Sequence, residues 1–194
     1  MDKPTTDEII KIKTPQLRED ILDVLKRRFS PRVFLEDQIN DSNVKKFFEA
    51  ARISPSSSNR QPWFYYYAKR GSGSFVKISN SLNPDNDWAK NAPLLIVGCF
   101  ISEDEKGPNK YAQYDLGQSV MSMVIQINSL GYYCRQMGGF DKNKIATDLN
   151  IMPPIFPWVV IAVGKIGDYQ KVDPILIEKD NRIRIRKSKV AKEI

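Results

Sequence analysis

Two stretches of this 194-residue chain gather side chains that could hold a polar or anionic ligand. The first, Arg27-Arg28-Phe29-Ser30-Pro31-Arg32, places three guanidinium groups within six residues. The planar fork of arginine binds phosphate or carboxylate oxygens in pairs. The second runs from Ile53 to Trp63 and contains three consecutive serines, Ser56 to Ser58, the amides Asn59 and Gln61, and the prolines Pro55 and Pro62. The prolines push Ser54 and Gln61 out of helical geometry, which leaves hydroxyl, amide and backbone N–H donors in a small space. Such donors suit the edge of a flat heterocycle, or a phosphate, without a full opposing charge. Each stretch also has a plainer reading. Serines in a loop often bond their own backbone, and arginines at a helix end complement its dipole.

Other chemistries are excluded by composition. The chain has no histidine, so a Ser-His-Asp triad, a Cys-His nucleophile and the usual zinc sites are impossible. Cys99 and Cys134 lack paired spacing and read as buried thiols, with no metal site implied. Any chemistry must then come from carboxylates, lysine, tyrosine or a borrowed cofactor. A net charge of +7 favours anionic partners, with clusters at Lys26 to Arg32 and Arg182 to Lys192. No nucleic-acid motif accompanies that charge. No apolar run is long enough to span a bilayer, and the first residues lack a signal-peptide core, so a soluble, cytoplasmic protein without a membrane partner is expected.

The elements that must position these stretches follow from periodicity. Apolar residues at Leu17, Ile21, Val24 and Leu25 predict a helix from about Pro15 to Arg28. Asp41 or Ser42 caps a second helix, with Val44, Phe47, Phe48 and Ala51 facing inward. Phe64 to Ala68 is an aromatic strand, and Gly71 to Asp87 a loop or short helix. Leu94 to Phe100 is apolar throughout, as a strand buried on both faces would be. The long helix from Tyr111 to Leu130 is closed by Gly131. Tyr132 to Gln136 is a short strand leading to Gly138 and Gly139, where bare backbone lets a ligand approach. Asp141 caps another helix, and Trp158 to Val163 is a further apolar strand. Beyond it the alternating run Arg182 to Arg186 reads as part of an arm. The expectation is one domain over residues 1–194, with a core at about 15–166 and an arm at 167–194. Its class is α+β or α/β with one sheet.

Several segments together resemble the nitroreductase family of flavoproteins, in order and spacing, from about Leu17 to Ser188. They are Arg28 to Phe34, Glu49 to Trp63, Trp88 to Pro93, Asp115 to Gln118, Gln136 to Asp141 and Arg184 to Ser188. The resemblance implies an α+β three-layer fold. A central mixed, mostly antiparallel sheet would be flanked by helices, with the C-terminal arm exchanged in a homodimer that binds FMN at its interface. Within it, Arg28, Phe29, Ser30 and Arg32 would hold the phosphate and the pyrimidine side of the flavin. Pro55, Ser56, Ser57 and Asn59 would come from the partner subunit. Gln136, Gly138 and Gly139 would lie along the ring, Asn86 would touch it, and Arg184 and Arg186 would reach the phosphate.

The activity implied is hydride transfer from NADPH or NADH through flavin N5 to a nitroaromatic, quinone or similar flat small molecule, in alternating half-reactions. No side-chain acid or base is required, so no catalytic residue is named. Alternatives are reductive dehalogenation or flavin breakdown on the same fold, and a non-catalytic basic binding module. One departure stands out: Arg135 occupies a position where close relatives often carry histidine, which bears on substrate range.

Overall fold

A computed structural model describes residues 3–193. Helix α1 (Thr6–Lys13) opens with a reciprocal cap, in which Thr5 accepts from the Glu8 N–H and the Glu8 carboxylate accepts from the Thr5 N–H at 2.7 Å. Helix α2 is short (Asp23–Arg27), and α3 (Asp41–Arg52) is capped by Asn40, whose side chain accepts from the Asn43 N–H. Strand β1 (Trp63–Lys69) leads to α4 (Gly73–Ser79), a 3-10 segment (Pro84–Asn91) and β2 (Leu94–Ile101). A small hairpin of β3 (Glu103–Asp104) and β4 (Gly107–Pro108) precedes the long α5 (Ala112–Ser129). Gly131 at φ +79° ends α5, and the Tyr132 N–H reaches back to the Ile127 carbonyl at 3.1 Å. Strand β5 (Tyr133–Met137), α6 (Lys142–Asp148), β6 (Ile155–Gly164) and α7 (Pro174–Asp180) complete the order.

The main sheet has the order β1-β2-β6-β5. Its three pairings are all antiparallel, so the parallel component of the expected mixed sheet is not among the pairings of the described residues. Alternation along β2 and β6 sorts their apolar side chains onto two faces. Leu94, Ile96, Ile161 and Val163 face α3 and α5, where Phe47, Leu116 and Met123 complete one core. Leu95, Val97, Val160 and Ala162 face the other way, onto Phe75, Ile78, Trp88 and Ile145. The result is a sheet between two helical layers. A third cluster joins the two ends of the chain: Ile9 of α1 packs with Phe29, Val33, Tyr169 and Ile177.

Several expectations need correction. The helix expected from Pro15 to Arg28 is regular only over α2, and Leu17 and Ile21 of its apolar period are exposed. A helix that the apolar period does not predict, α1, precedes it. That helix buries Ile9 against residues far away in sequence, a contact no local period reports. The alternating run Arg182 to Arg186, expected within an arm, has no regular secondary structure, and Ile183 and Ile185 are 76% and 81% exposed. Strand β6 starts at Ile155, three residues before the expected Trp158, and the irregularity opposite Gly98 and Cys99 lets Pro157 sit within it.

Gly164 closes β6 where there is no room for a side chain. A Cβ there would stand 2.7 Å from Pro93 Cδ and 3.0 Å from Phe34 Cδ1, both parts of stiff rings. Gly164→Ala is expected to lower unfolding free energy by about 1–3 kcal/mol in urea titration, the usual penalty for overpacking a dense core.

Candidate functional site

The basic stretch is built by its apolar neighbours. Pro31 halts α2, and the backbone turns extended at Arg28. Phe29 is 3% exposed and meets the Tyr133 ring edge-on at 5.1 Å, while Val33 is buried beside it. Those two anchors fix the segment and leave Arg28, Ser30 and Arg32 along one side. There they line a pocket of about 330 Å³ together with Arg184 and Arg186, from the far end of the chain. Six of the residues expected from sequence, Phe29 included, thus meet in one place.

The pocket is cationic and poorly neutralised. Lys13, Lys179, Arg135 and Arg182 also line it, against a single carboxylate, Asp180. That carboxylate is already engaged, by Arg32 Nη1 at 2.6 Å, the Arg32 N–H at 2.7 Å and the Tyr169 hydroxyl at 2.8 Å. Other guanidiniums are held by backbone carbonyls: Arg184 Nη1 donates to the Arg28 carbonyl at 2.6 Å and Arg135 Nη1 to the Ser30 carbonyl at 2.5 Å. Arg135 also lies 5.6 Å from the Trp88 ring centroid. Burial pushes Arg28, Arg135 and Lys13 below their ordinary values, and repulsion from neighbouring guanidiniums adds to it. Arg184 is pushed down to about 10, by burial first and then by Arg28 and Arg186. It still carries its charge at neutral pH, and its Nε is buried without a hydrogen-bond partner. A pocket lined by so many cationic donors fits a phosphate, which accepts several such bonds at once.

A second recess of about 320 Å³ lies where β5 ends, lined by Gln136 and Gly138 with Gln113, Gly117 and Trp158 around them. Alternation along β5 sends Arg135 to one face of the sheet and Gln136 to the other, so one short strand serves both places. The Gly139 carbonyl accepts from Asn86 Nδ2 at 2.9 Å and from the Asn83 N–H at 3.1 Å. A Cβ on Gly139 would come within 3.0 Å of Asn86 Nδ2, whereas one on Gly138 would meet nothing within 4 Å. Gly138 is therefore open and Gly139 braced. Asn86, expected at the ring, spends an amide hydrogen on that brace.

The serine-rich junction lies outside both recesses, and Pro55, Ser56, Ser57 and Asn59 line neither. It forms a 3-10 turn (Ser57–Asn59) with positive φ at Ser58, Asn59 and Gln61. Left-handed geometry at Ser58 and Gln61 costs on the order of 1 kcal/mol each, so the surroundings must hold it. Three contacts do so. Asp115 accepts from the Ser57 N–H at 3.1 Å, and Ser56 Oγ accepts from the Gln61 N–H at 2.9 Å. Arg60 forks onto Asp104 at 2.6 and 2.8 Å and also reaches the Gly107 carbonyl. Ser56 thus follows the plainer reading in part, bonding its own loop. Sequence reasoning missed Lys13, Asn83, Tyr169, Lys179, Asp180 and Arg182. Only their charge or polarity was visible, with a period of two at Arg182 that names no partner.

Comparison with known proteins agrees with this architecture. The family model described as the nitroreductase family matches residues 25–81, which include the basic stretch and the serine-rich junction. An uncharacterized 15.4 kDa protein of Mycolicibacterium smegmatis is 30% identical over 112 residues, covering 58% of this chain and 76% of its own length. A protein of Archaeoglobus fulgidus named "Putative NADH dehydrogenase/NAD(P)H nitroreductase" is 27% identical over 167 residues, or 84% of this chain and 93% of that protein. A crystal structure described as an oxidoreductase containing FMN superposes with a TM-score of 0.85 at 28% identity, covering 92% of this chain and 93% of that one. With its sheet between two helical layers and these matches in sequence and structure, the chain belongs to the nitroreductase family of oxidoreductases.

Proposed function

We propose that the protein is an FMN-dependent oxidoreductase that takes hydride from NADH or NADPH and passes reducing equivalents to a nitroaromatic, quinone or similar flat acceptor. The observation that carries this reading is the basic pocket, which six arginines and two lysines line with a single carboxylate among them. The structural relative described as containing FMN supports the choice of cofactor, and the Archaeoglobus fulgidus protein's name supports a nicotinamide donor. When bound, FMN supplies the two-electron chemistry itself, which fits a site without histidine and without a side-chain acid or base in evident position.

The chain's own residues bind and orient. Arg28, Arg184 and Arg186 would hold the phosphate, their mutual repulsion relieved by its charge. Ser30 and Arg32 would face the pyrimidine edge, where a cation stabilises negative charge that develops on reduction. Gly138 would leave room beside the ring, and Gly139, braced by Asn83 and Asn86, would keep the adjacent backbone from shifting. Pro55, Ser56, Ser57 and Asn59 are remote from the pocket within one chain. Their polar groups, donors on the serines and Asn59 and the carbonyl of Pro55, would complete the site of a second copy in a homodimer.

The visible absorption spectrum of the purified protein tests the reading. Flavin bands that bleach on anaerobic addition of NADPH or NADH are expected, and the faster reductant identifies the donor. Protein that stays colourless after incubation with FMN would overturn the reading in favour of a basic binding module. Arg28→Ala should weaken FMN binding about tenfold or more by fluorescence quenching, since a charge-assisted bond is worth about 1.5–3 kcal/mol; unchanged affinity would remove Arg28 from the site. Asn86→Ala leaves the Gly139 carbonyl with one donor and should lower stability by about 0.5–1.5 kcal/mol in denaturant titration, with slower reduction of the bound flavin.

A further inference from the structure

We propose that Asp180, with Tyr169 behind it, is a positioning residue that holds Arg32 in the basic pocket and lowers the pocket's positive charge, and so biases which redox state of a bound flavin is favoured. The inference rests on the flavin reading above. Asp180 is the last residue of α7 and is 1% exposed. Both carboxylate oxygens are used: Oδ1 accepts from Arg32 Nη1 at 2.6 Å, and Oδ2 accepts from the Arg32 N–H at 2.7 Å and the Tyr169 hydroxyl at 2.8 Å. Tyr169 is wholly buried among Ile9, Phe29, Val33 and Ile177, so its hydroxyl cannot turn to water. Burial and the Asp180 charge push that phenol well above its ordinary value, which keeps it a donor.

Two bonds from one carboxylate fix both the backbone and the side chain of Arg32. A flexible arginine becomes a group of set position. The same carboxylate is the one anionic side chain lining the pocket among the described residues. It offsets part of the charge of Arg32, Arg135 and Lys13, so the field at the pyrimidine edge depends on it. A purely structural staple between α7 and the Arg28 to Phe34 segment would need the same bonds, yet would leave the flavin's potential unaffected.

Asp180→Asn keeps the shape and removes the charge, but its amide NH2 must face one of the donors on Arg32 or Tyr169, so the two roles are separated by the sign of the potential shift read beside Tyr169→Phe. The expected result is about a tenfold shift toward binding the reduced flavin, measured by potentiometric titration of the holoprotein against a reference dye. That is about 30 mV upward for a two-electron couple. Tyr169→Phe removes a donor and leaves the carboxylate charge less shared. It should shift the potential the opposite way by roughly two- to threefold in the same affinity ratio. General loosening of the site would not give opposite signs. If Asp180→Asn fails to fold, the sign for Tyr169→Phe decides alone, and an unchanged or raised potential overturns the proposal. Wild-type protein that takes up no FMN overturns the flavin reading and this inference together. Wild-type holoprotein with both variants at its own potential overturns this inference and leaves the reading standing.

Discussion

Half-buried guanidinium groups repel one another, and in this fold they are brought together nonetheless. Arg28, Arg135 and Arg184 meet in one pocket without a carboxylate apiece. Backbone carbonyls take that place: those of Arg28 and Ser30 each accept from an arginine contributed by a distant segment. A carbonyl dipole fixes a guanidinium without neutralising it. The pocket is therefore rigid and still charged, which suits a site whose remaining charge is to come from a ligand. The surrounding structure serves this condition. Phe29 and Val33 are sunk into the cluster that joins the chain ends, and α1 and α7 cover them. The sheet carries Arg135 to the pocket wall on β5.

The two recesses divide the work of the proposed chemistry between charge and shape. The basic pocket supplies field and hydrogen bonds, whereas the recess at the end of β5 supplies an open glycine next to a braced one. Because successive residues of a strand point to opposite faces, Arg135 and Gln136 tie the two together with no intervening flexible segment. Packing is what maintains this division. Apolar residues from β2 and β6 fill both faces of the sheet, and neither face is left to shift independently of the other.

Much of this was legible in the sequence where one local pattern sufficed. Leu94 to Phe100 could only be an inner strand, because every residue is apolar, and α5 announced itself by length and by Gly131 after it. The basic and serine-rich stretches declared donors but not their geometry. The resemblance to a family, and not spacing, attached Arg184 to Arg28. What remained unreadable depended on partners far off in the chain. Ile9 looks like any apolar residue in a polar helix until Tyr169 and Ile177 are placed beside it. Asp180 is one acidic residue in a polar tail, and its bond to Arg32 spans 148 residues. Conversely, the helical period through Leu17 and Ile21 was real as a pattern, yet those side chains line an open cavity beside Ile183 and Ile185 and stay partly exposed.

The bond from Arg184 to the Arg28 carbonyl joins positions 156 residues apart. Closing so large a loop is entropically unfavourable before the contacts that reward it exist. During ribosomal synthesis the strands of the sheet, all of which precede Gly167, leave the ribosome before Arg184 does, so the basic pocket is still half a pocket when they pair. Until then Arg28 and Arg32 stay solvated and far from Arg184, and the pocket's charge is gathered only once that later segment has docked.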